Sequence, residues 1–344
     1  MADPHGAKTI LVTGGCGFIG ANFVHLLLRE RPAWRVLNLD ALTYAGNLAN
    51  VADVAGDPRY QFLRVDLTDA VALQQALADE RPDAVVHFAA ESHVDRSILG
   101  PEAFLKTNVN GTFHLLELVR KWPGCRHVQV STDEVYGSLS DTDPRFCETT
   151  PINPSSPYSA SKAAADLLVQ AYHHTFGLDT VTTRCSNNYG PYQFPEKLIP
   201  LMVINSLAGK PLPVYGTGRN VRDWIHVEDH CRGVLAALER GRSGEVYHFG
   251  GNAERANIDI VRQIAVTLTG NDALIQLVQD RPGHDWRYAM ATDKSERELG
   301  WAPRWQFDAG LRATIDWYVQ NTAWWKQILN KDYLIFYDKL YGGR

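Results

Sequence analysis

The sequence predicts an α/β protein in which a Rossmann-type, doubly wound parallel sheet carries a smaller, interleaved α/β substrate-binding domain. A buried-strand pattern at Thr9–Thr13 runs straight into the glycine-rich turn Gly14–Gly20 and then into a helical pattern. A second strand pattern, Arg35–Asp40, ends in an acid about 20 residues further on, a spacing typical of dinucleotide-binding βαβ units. Short apolar runs and helical patterns then alternate, which favours a parallel sheet.

Each element is indicated by its local pattern. The strand patterns are Thr9–Thr13, Arg35–Asp40, Phe62–Asp66, Ala84–Phe88, His127–Val130, Asp179–Arg184, Trp224–Asp229 and Val246–Phe249. The helical patterns are Ala21–Arg29, a run near residues 70–80, Glu102–Lys121 and the run that begins at Pro157. Ser156 is a suitable N-cap for this last helix, proline suits its first position, and Gly177 is a suitable stop.

The pattern loosens after about residue 190, where turns rich in proline and glycine become frequent. We therefore expect an NAD-binding domain over residues 1–190, to which segments at about 224–250 return. Residues 191–223 and 251–330 form the predicted substrate-binding domain, and residues 331–344 form a C-terminal tail.

Composition limits the class of protein. The chain has 344 residues, of which 45% are hydrophobic and 21% charged, and its net charge of −5 argues against nucleic-acid binding. It contains no apolar run of the roughly 20 residues needed to span a membrane, and no signal-peptide pattern at its start. The five cysteines include no Cys-x-x-Cys pair, and the histidines show no metal-binding spacing. We expect a reduced, cytoplasmic protein that binds no membrane and no metal.

The glycine-rich turn predicts the cofactor. Its glycines allow a tight turn and close approach of a pyrophosphate, and the helix N-terminus that follows favours phosphate. Asp40 suits a ribose 2′-hydroxyl and would repel a 2′-phosphate, so NAD is preferred to NADP. By itself the pair Ala89–Ala90 would indicate only packing between strand and loop. The predicted cofactor-binding residues are Gly14, Gly17, Phe18, Ile19, Gly20, Asp40, Asp66, Leu67, Ala89, Ala90, Tyr158 and Lys162.

Two pairs of side chains predict acid–base chemistry. Tyr158 and Lys162 lie four residues apart, on one face of the predicted helix, and the ammonium group favours a phenolate that can act as a general base. Asp133 and Glu134 directly follow a strand pattern, at the edge where open α/β sheets bind ligands. Two adjacent acids in a half-buried cleft should titrate differently, which provides one base and one acid for an elimination.

Cations late in the chain predict an anion pocket. The run Asp280–Asp285 with Arg287 and Tyr288 beyond it, together with Lys197, Arg219 and Arg222, suits a diphosphate. For Arg287 alone we expect an ordinary solvated side chain.

The motifs occur together and in order: Gly-x-x-Gly-x-x-Gly, Ser-Thr-Asp-Glu-Val-Tyr-Gly, Tyr-x-x-x-Lys, Arg-Cys-Ser-Asn-Asn-Tyr-Gly-Pro, Arg-Asp-Trp and Arg-Pro-Gly-His-Asp. From about Thr9 to residue 325 the chain resembles the extended short-chain dehydrogenase/reductases, and among them the family of dTDP-glucose 4,6-dehydratases. Cys16 departs from the alanine usual in this family, and we expect the small thiol to be tolerated.

This resemblance implies the reaction and the roles of the site residues. The substrate is dTDP-glucose, which is oxidised at C4, loses water across C5 and C6 and is reduced at C6, with tightly bound NAD regenerated in each turnover. Tyr158 and Lys162 serve oxidation, Thr132 contacts the 4-hydroxyl, Asp133 is the acid and Glu134 the base. The implied substrate contacts are Ser92, His93, Asn187, Lys197, Leu198, Pro213, Tyr215, Arg222, Asn257, Arg281, His284 and Tyr288. A homodimer through Glu102–Lys121 and Pro157–Phe176 and a role in deoxysugar biosynthesis are also implied.

Other functions remain open at this point. UDP- or CDP-glucose 4,6-dehydratases share the same requirements, because thymine and uracil differ by one methyl group, a contact of about 1–3 kcal/mol. A sugar-nucleotide 4-epimerase or a UDP-glucuronate decarboxylase on the same scaffold has no need of the Asp133–Glu134 pair to expel a 6-hydroxyl. A non-catalytic NAD-sensing protein is the alternative of a different class, and the four intact catalytic side chains argue against it.

Overall fold

The computed structural model describes residues 6–329. Its strands are β1 (Thr9–Thr13), β2 (Arg35–Asp40), β3 (Tyr60–Arg64), β4 (Ala84–His87), β5 (Arg126–Thr132), β6 (Thr180–Cys185), β7 (Asn187–Tyr189), β8 (Leu212–Tyr215), β9 (Val221–His226), β10 (Val246–Phe249), β11 (Glu254–Ala256) and β12 (Ile275–Val278). Its α-helices are α1 (Phe18–Glu30), α2 (Ala70–Ala76), α3 (Val94–Leu99), α4 (Glu102–Phe104), α5 (Thr112–Val119), α6 (Pro157–Phe176), α7 (Leu198–Leu207), α8 (Val227–Arg240), α9 (Asn257–Thr269), α10 (Asp293–Leu299), α11 (Phe307–Gln320) and α12 (Thr322–Ile328). Two 3₁₀ turns, Leu48–Val51 and Asp133–Tyr136, and a π-helical segment, Leu105–Gly111, complete the described elements.

A parallel sheet of seven strands forms the centre, in the order β10-β6-β5-β4-β1-β2-β3. One apolar core, which includes Phe23, Val128 and Val234, joins the sheet to α1 and α8. A second core, which includes Leu11, Leu115 and Val169, joins the other face to α5 and α6. Because helices cover both faces, the strands are mostly buried, except for the edge strand β3, and the predicted doubly wound fold is confirmed.

The remaining strands form two small sheets. In the first, β9 pairs with β7 in parallel and with β11 in antiparallel fashion, and in the second β8 pairs with β12 in parallel. Helices α7, α9 and α11 pack against them around a separate core that includes Met202, Val261 and Leu311. The predicted domain boundaries stay a prediction, and the predicted tail lies outside the described residues.

The structure corrects two predicted elements. The segment Trp224–Asp229 does not return to the main sheet, because it ends β9 of the three-stranded sheet and then begins α8. The predicted helix Glu102–Lys121 is not continuous, because a π-helical segment interrupts it at Asn108. The Asn108 amide lies inside the fold, where it bonds both backbone groups of Glu91 and the hydroxyl of Ser161. A buried polar side chain that needs these partners accounts for the local change of helical pitch.

Helix α6, which carries the tyrosine–lysine pair, begins and ends where the sequence predicts. Ser156 and Ser159 form a reciprocal capping box, and Pro157 occupies the first position. Gly177 ends the helix in the left-handed conformation, with φ of 69°. Among residues 6–329, no helix combines the length and apolarity needed to cross a membrane.

Candidate active site

Two joined clefts lie above the carboxyl ends of the central strands. The larger has a volume of about 290 Å³ and runs from the glycine-rich turn to α6. The smaller, of about 160 Å³, lies between α3, α7 and the small sheets. Four residues line both clefts, namely Glu134, Asn187, Glu196 and Lys197. The acid Glu134 therefore stands where the two volumes meet.

Most predicted site residues line one of these clefts. Those of the larger cleft are Gly14, Gly17, Phe18, Ile19, Gly20, Asp40, Asp66, Leu67, Ala89, Ala90, Ser92, Thr132, Asp133, Glu134, Tyr158 and Lys162. Those of the smaller cleft are His93, Leu198, Pro213, Tyr215, Arg222, Asn257, Arg281 and His284, in addition to the shared Asn187 and Lys197. Tyr288 lines neither, because its ring lies under the Arg222 guanidinium, 4.2 Å from its centre, and its hydroxyl donates to Asp285.

The glycine-rich turn fits a dinucleotide pyrophosphate. Gly14 has φ of 72°, and a β-carbon there would stand 2.6 Å from the backbone nitrogen of Ala89. A β-carbon on Gly20 would stand 2.2 Å from the carbonyl oxygen of Gly14. Gly17 is the N-cap of α1 and offers no side chain to the first turn, so backbone N–H groups of the helix remain available to an anion.

Two backbone hydrogen bonds hold the Asp40 carboxylate in a position that suits a ribose. One of its carboxylate oxygens accepts from the backbone N–H of Cys16 at 2.9 Å and the other from that of Leu42 at 2.8 Å. These bonds tie β2 to the glycine-rich turn and leave lone pairs of both oxygens available to hydroxyl groups. Burial raises the pKa of Asp40 and the two backbone bonds oppose that shift. Cys16 is fully buried and its thiol accepts from Asn38, so the unusual residue is accommodated.

Tyr158 and Lys162 are both buried on one face of α6. The lysine ammonium donates to the backbone carbonyl of Val130 at 2.8 Å. Burial raises the pKa of Tyr158 well above its ordinary value, the charge of Glu134 adds to the rise, and the Thr132 hydroxyl opposes it. This direction differs from the sequence prediction, because in the chain alone burial outweighs the neighbouring cation and keeps the phenol protonated.

Asp133 and Glu134 lie on the same 3₁₀ turn but in different electrostatic surroundings. Burial raises the pKa of Asp133 well above its ordinary value, the charges of Glu134 and Asp223 raise it further, and Arg222 and the Thr132 hydroxyl oppose the rise. Burial also raises the pKa of Glu134, but the cations Arg281, Lys197 and Arg222 oppose that rise. The turn therefore provides a carboxylic acid that keeps its proton beside a carboxylate stabilised by cations.

The smaller cleft contains buried cations that suit an anionic ligand. The Arg222 guanidinium is buried and donates to the backbone carbonyls of Val221, Asp285 and Trp286. The Lys197 ammonium donates to the carbonyl of Ser92 at 2.7 Å. Neither forms an ion pair with a carboxylate among residues 6–329, whereas buried charges are ordinarily paired. A diphosphate between them would add its negative charge to that of the nearby Glu134.

Two other predicted cations lie outside this pocket. Arg219 is exposed and lines neither cleft. Arg287 is held by Glu254 at 2.8 Å and by backbone carbonyls of the segment after β5, so its role is structural.

The sequence reasoning missed several residues of the site. Glu196 lines both clefts and accepts a hydrogen bond from Arg96 at 3.0 Å. In the sequence, only its position next to the predicted Lys197 indicated a role in the site. Asp95 accepts from Tyr215 at 3.1 Å and from Arg281 at 3.4 Å, and so it orients two predicted contacts. Asp223 belongs to the Arg-Asp-Trp motif, of which only the arginine was predicted to be a site residue.

Fold and site together define an extended short-chain dehydrogenase/reductase, with a dinucleotide cleft, a Tyr-x-x-x-Lys pair and an adjoining anion-binding cleft. A family model described as GDP-mannose 4,6 dehydratase matches residues 11–314. The dTDP-glucose 4,6-dehydratase of Neisseria meningitidis serogroup B is 51% identical over 347 residues, covering 95% of this chain and 97% of that protein. The chain belongs to the family of dTDP-glucose 4,6-dehydratases, as the sequence motifs predict.

Solved structures agree with this assignment. The dTDP-glucose 4,6-dehydratase DesIV of Streptomyces venezuelae, solved with NAD bound, has a TM-score of 0.89 and 51% identity, covering 93% of this chain and 99% of that one. A UDP-glucose 4-epimerase from Thermus thermophilus, solved in complex with NAD, has a TM-score of 0.84 at 31% identity, covering 91% of this chain and 99% of that one. The fold is thus shared with epimerases, while the higher identity lies with the dehydratases.

Proposed function

We propose that the protein is an NAD-dependent dTDP-glucose 4,6-dehydratase, which converts dTDP-glucose to dTDP-4-keto-6-deoxyglucose and water. The observation that carries this proposal is the Asp133–Glu134 turn at the junction of the two clefts, where neighbouring anions add to the raised pKa of Asp133 and three cations oppose the rise in the pKa of Glu134. An elimination of water needs such a pair, because one group removes a proton from carbon while the other protonates the departing hydroxyl.

The residues that would hold NAD lie along the larger cleft. The glycine-rich turn and the N-terminus of α1 would bind the pyrophosphate, Asp40 a ribose, and the segment Asp66–Leu67 the adenine. When bound, NAD supplies the acceptor for the hydride of C4 and the donor that returns it to C6. Because this cycle ends in the initial redox state, we propose that the cofactor stays bound between turnovers.

Tyr158 would receive the proton of the 4-hydroxyl during oxidation. Lys162 lies one helical turn after Tyr158 on α6, and the Thr132 hydroxyl can donate a hydrogen bond to the Tyr158 oxygen. Burial and Glu134 favour the protonated phenol, which cannot accept a second proton, so Tyr158 must first lose its own proton and act as the phenolate. Additional positive charge near Tyr158, such as that of a bound oxidised nicotinamide, would favour this form.

The 4-ketone then acidifies the C5–H bond, which lets a carboxylate act as base. Glu134 would remove the C5 proton, Asp133 would protonate the 6-hydroxyl as it leaves, and Glu134 would return a proton to C5 at the end. Lys197, Arg222 and Arg281 would bind the diphosphate, and the other predicted contacts that line the two clefts would surround sugar and base.

The experiment that tests the reaction uses substrate labelled with deuterium at C4. A 4,6-dehydratase moves the label to C6 of the product, and mass spectrometry with NMR locates it there. A 4-epimerase returns the label to C4, and a non-catalytic protein leaves the substrate unchanged. Either of these results would contradict the proposal. Rates compared among dTDP-glucose, UDP-glucose and CDP-glucose would identify the base.

We further propose a homodimer. Exposed apolar side chains cluster on α3, the π-helical segment, α5 and α6, which pack on one another. They are Leu99, Leu105, Phe113, Leu167 and Phe176. Large exposed apolar side chains on helices that pack together are typical of an interface. Light scattering should show a dimer that Leu167→Glu weakens, whereas Leu277→Glu, at a similarly exposed leucine of β12, should leave it intact.

The five unpaired thiols favour a cytoplasmic location.

A further inference from the structure

A fully buried hydrogen-bond network lies beside the active site, and the proposed chemistry does not use it. It consists of Asp166, Arg184, Tyr136 and His248, each at most 5% exposed. The Arg184 Nε donates to an Asp166 oxygen at 2.9 Å, and its Nη1 donates to the Tyr136 hydroxyl at 2.6 Å. The Tyr136 hydroxyl lies 2.6 Å from Nε2 of His248. Four polar groups buried at this depth are costly unless each is bonded, and here they bond to one another, although one Asp166 oxygen has no hydrogen-bond partner among residues 6–329.

The histidine gives the network a direction. His248 Nδ1 lies 3.2 Å from the carbonyl of Ala291, which accepts hydrogen bonds only, so Nδ1 carries the proton and Nε2 is the acceptor. Tyr136 therefore donates to His248 and accepts from Arg184. Burial lowers the pKa of His248 to about 3, in keeping with this neutral tautomer. Every member has a single consistent role, which makes the arrangement rigid.

The network adjoins both halves of the catalytic machinery, through Asp166 at one end and through Tyr136. Asp166 follows Lys162 by four residues and Tyr158 by eight, and all three are buried on the same face of α6. Its charge opposes the loss of the Lys162 proton that burial favours. Tyr136 is the last residue of the 3₁₀ turn that carries Asp133 and Glu134. Its ring is stacked on Phe146, 4.9 Å away.

We propose that Tyr136 is a positioning residue for the elimination step, held by Arg184 to Asp166 so that the Asp133–Glu134 turn keeps a fixed place relative to Tyr158 and Lys162. The inference rests on the proposed function, because it concerns the relative rates of that reaction's two steps. Both pairs must act on adjacent carbons of one sugar, and a displacement of the turn by a fraction of an ångström would separate Glu134 from C5 without moving Tyr158 away from the 4-hydroxyl.

The test compares Tyr136→Phe with Tyr247→Phe. Tyr247 is a suitable control, because it is also buried and its hydroxyl also joins two groups, the backbone N–H of Arg242 and the carboxylate of Glu298. NAD-saturated protein is mixed rapidly with dTDP-glucose, so that the absorbance of bound NADH reports oxidation and mass spectrometry of quenched samples reports loss of water. We expect Tyr136→Phe to slow elimination about tenfold while oxidation keeps its rate, so that NADH accumulates transiently.

Equal slowing of both steps, or slowing as small as in Tyr247→Phe, would overturn the inference. If Tyr136→Phe fails to fold by circular dichroism, Asp166→Asn serves as the second variant, since it keeps the shape of the side chain and loosens the other end. Asp166→Asn should slow elimination relative to oxidation, whereas an unchanged ratio, or slowing of oxidation alone through the lost charge beside Lys162, would refute the network as a positioning device. Lack of turnover by the unmodified protein would instead refute the proposed function and the inference with it.

Discussion

Asp133 and Glu134 are adjacent in the chain, but their electrostatic surroundings and proposed roles differ. They share one turn, so local sequence alone gives no reason to assign the acid and the base. The distinction comes from more distant residues, namely Asp223 on one side and the cations of the smaller cleft on the other. Roles within a pair of acids are therefore a property of the folded chain.

This division predicts the behaviour of Glu134→Gln. Oxidation at C4 should continue, because Tyr158 and Lys162 are untouched, but the C5 proton should stay in place and bound NADH should accumulate. Asp133→Asn should slow loss of water more than oxidation, since the departing hydroxyl lacks its acid. Rapid mixing with detection of NADH checks both variants. Normal turnover by Glu134→Gln would refute its assignment as the base.

A second prediction concerns pH and Asp223. The charge of this residue helps to raise the pKa of Asp133, and an acid works only while it is protonated, so elimination should slow as pH rises through that pKa. Asp223→Asn removes the charge, lowers the pKa of Asp133 and should move the alkaline fall in elimination rate to lower pH. The pH profile of the elimination step measures this, with Asp259→Asn at the surface of α9 as control. Identical profiles for both variants would contradict the assignment.

The site residues that could be predicted from the sequence are those that belong to a short motif. The glycines, Asp40, Tyr158, Lys162 and the acid pair all come from short patterns whose spacing has a physical reason. Glu196 and Asp95 have no such pattern, because Glu196 bonds Arg96 and Asp95 bonds Arg281 across gaps of 100 and 186 residues that only the fold closes. The protonated state of Tyr158 was missed for the same reason, since burial decides it.

At the scale of elements, two loops meet across the cofactor cleft. The loop after β2 contributes Tyr44 and the loop after β7 contributes Phe194, and their rings make an edge contact with centres 5.4 Å apart. The Arg96 guanidinium lies 4.0 Å above the Tyr44 ring and is bonded to Glu196. Both loops line the larger cleft, so this contact closes its side.

The contact predicts how long the cofactor is retained. Phe194→Ala removes an aromatic pair worth roughly 0.5–1.5 kcal/mol, and Tyr44→Ala also removes the cation–π contact, worth roughly 0.5–1 kcal/mol. Release of NAD should therefore become several-fold faster in the first variant and about tenfold faster in the second. Fluorescence of displaced NADH measures the rate, with Trp286→Ala, an exposed aromatic residue that lines neither cleft, as control. Unchanged release would show that the contact does not retain the cofactor.

Elements were predicted well where the local pattern and the tertiary structure agree. Strands β1, β2 and β10 have the predicted bounds, because parallel strands buried on both faces leave continuous apolar runs. The cap and stop of α6 are local chemistry and were also predicted. Trp224–Asp229 was misplaced, since an apolar run does not say which sheet it joins. The break at Asn108 depends on Glu91 and Ser161, which lie far along the chain.

At the scale of the whole molecule, the interior contains several neutral histidines. His127, His226, His230 and His248 are all buried, and burial lowers their pKa values to about 3 or 4. Such groups stabilise the fold fully above the unfolded pKa, near 6.5, and lose that contribution as pH falls towards the folded value. Buried carboxyl groups with raised pKa values, Asp223 among them, act in the opposite direction. The contribution of one group to the pH dependence of the free energy of unfolding is therefore measured as a difference between the wild type and a variant.

His230 is the best choice for that difference, because burial alone lowers its pKa, to about 3. Its Nδ1 bonds the Asn188 side-chain oxygen at 2.9 Å, and a glutamine amide can make the same bond without binding a proton. Between pH 6 and 4 the unfolded wild type should bind one more proton than unfolded His230→Gln. The free energy of unfolding of the wild type should then fall more steeply, by about 1.4 kcal/mol per pH unit. Urea titrations at fixed protein and cofactor concentration measure both slopes, and the difference should vanish above pH 7, where both residues are neutral. Parallel slopes down to pH 4 would mean that His230 binds a proton in the folded protein.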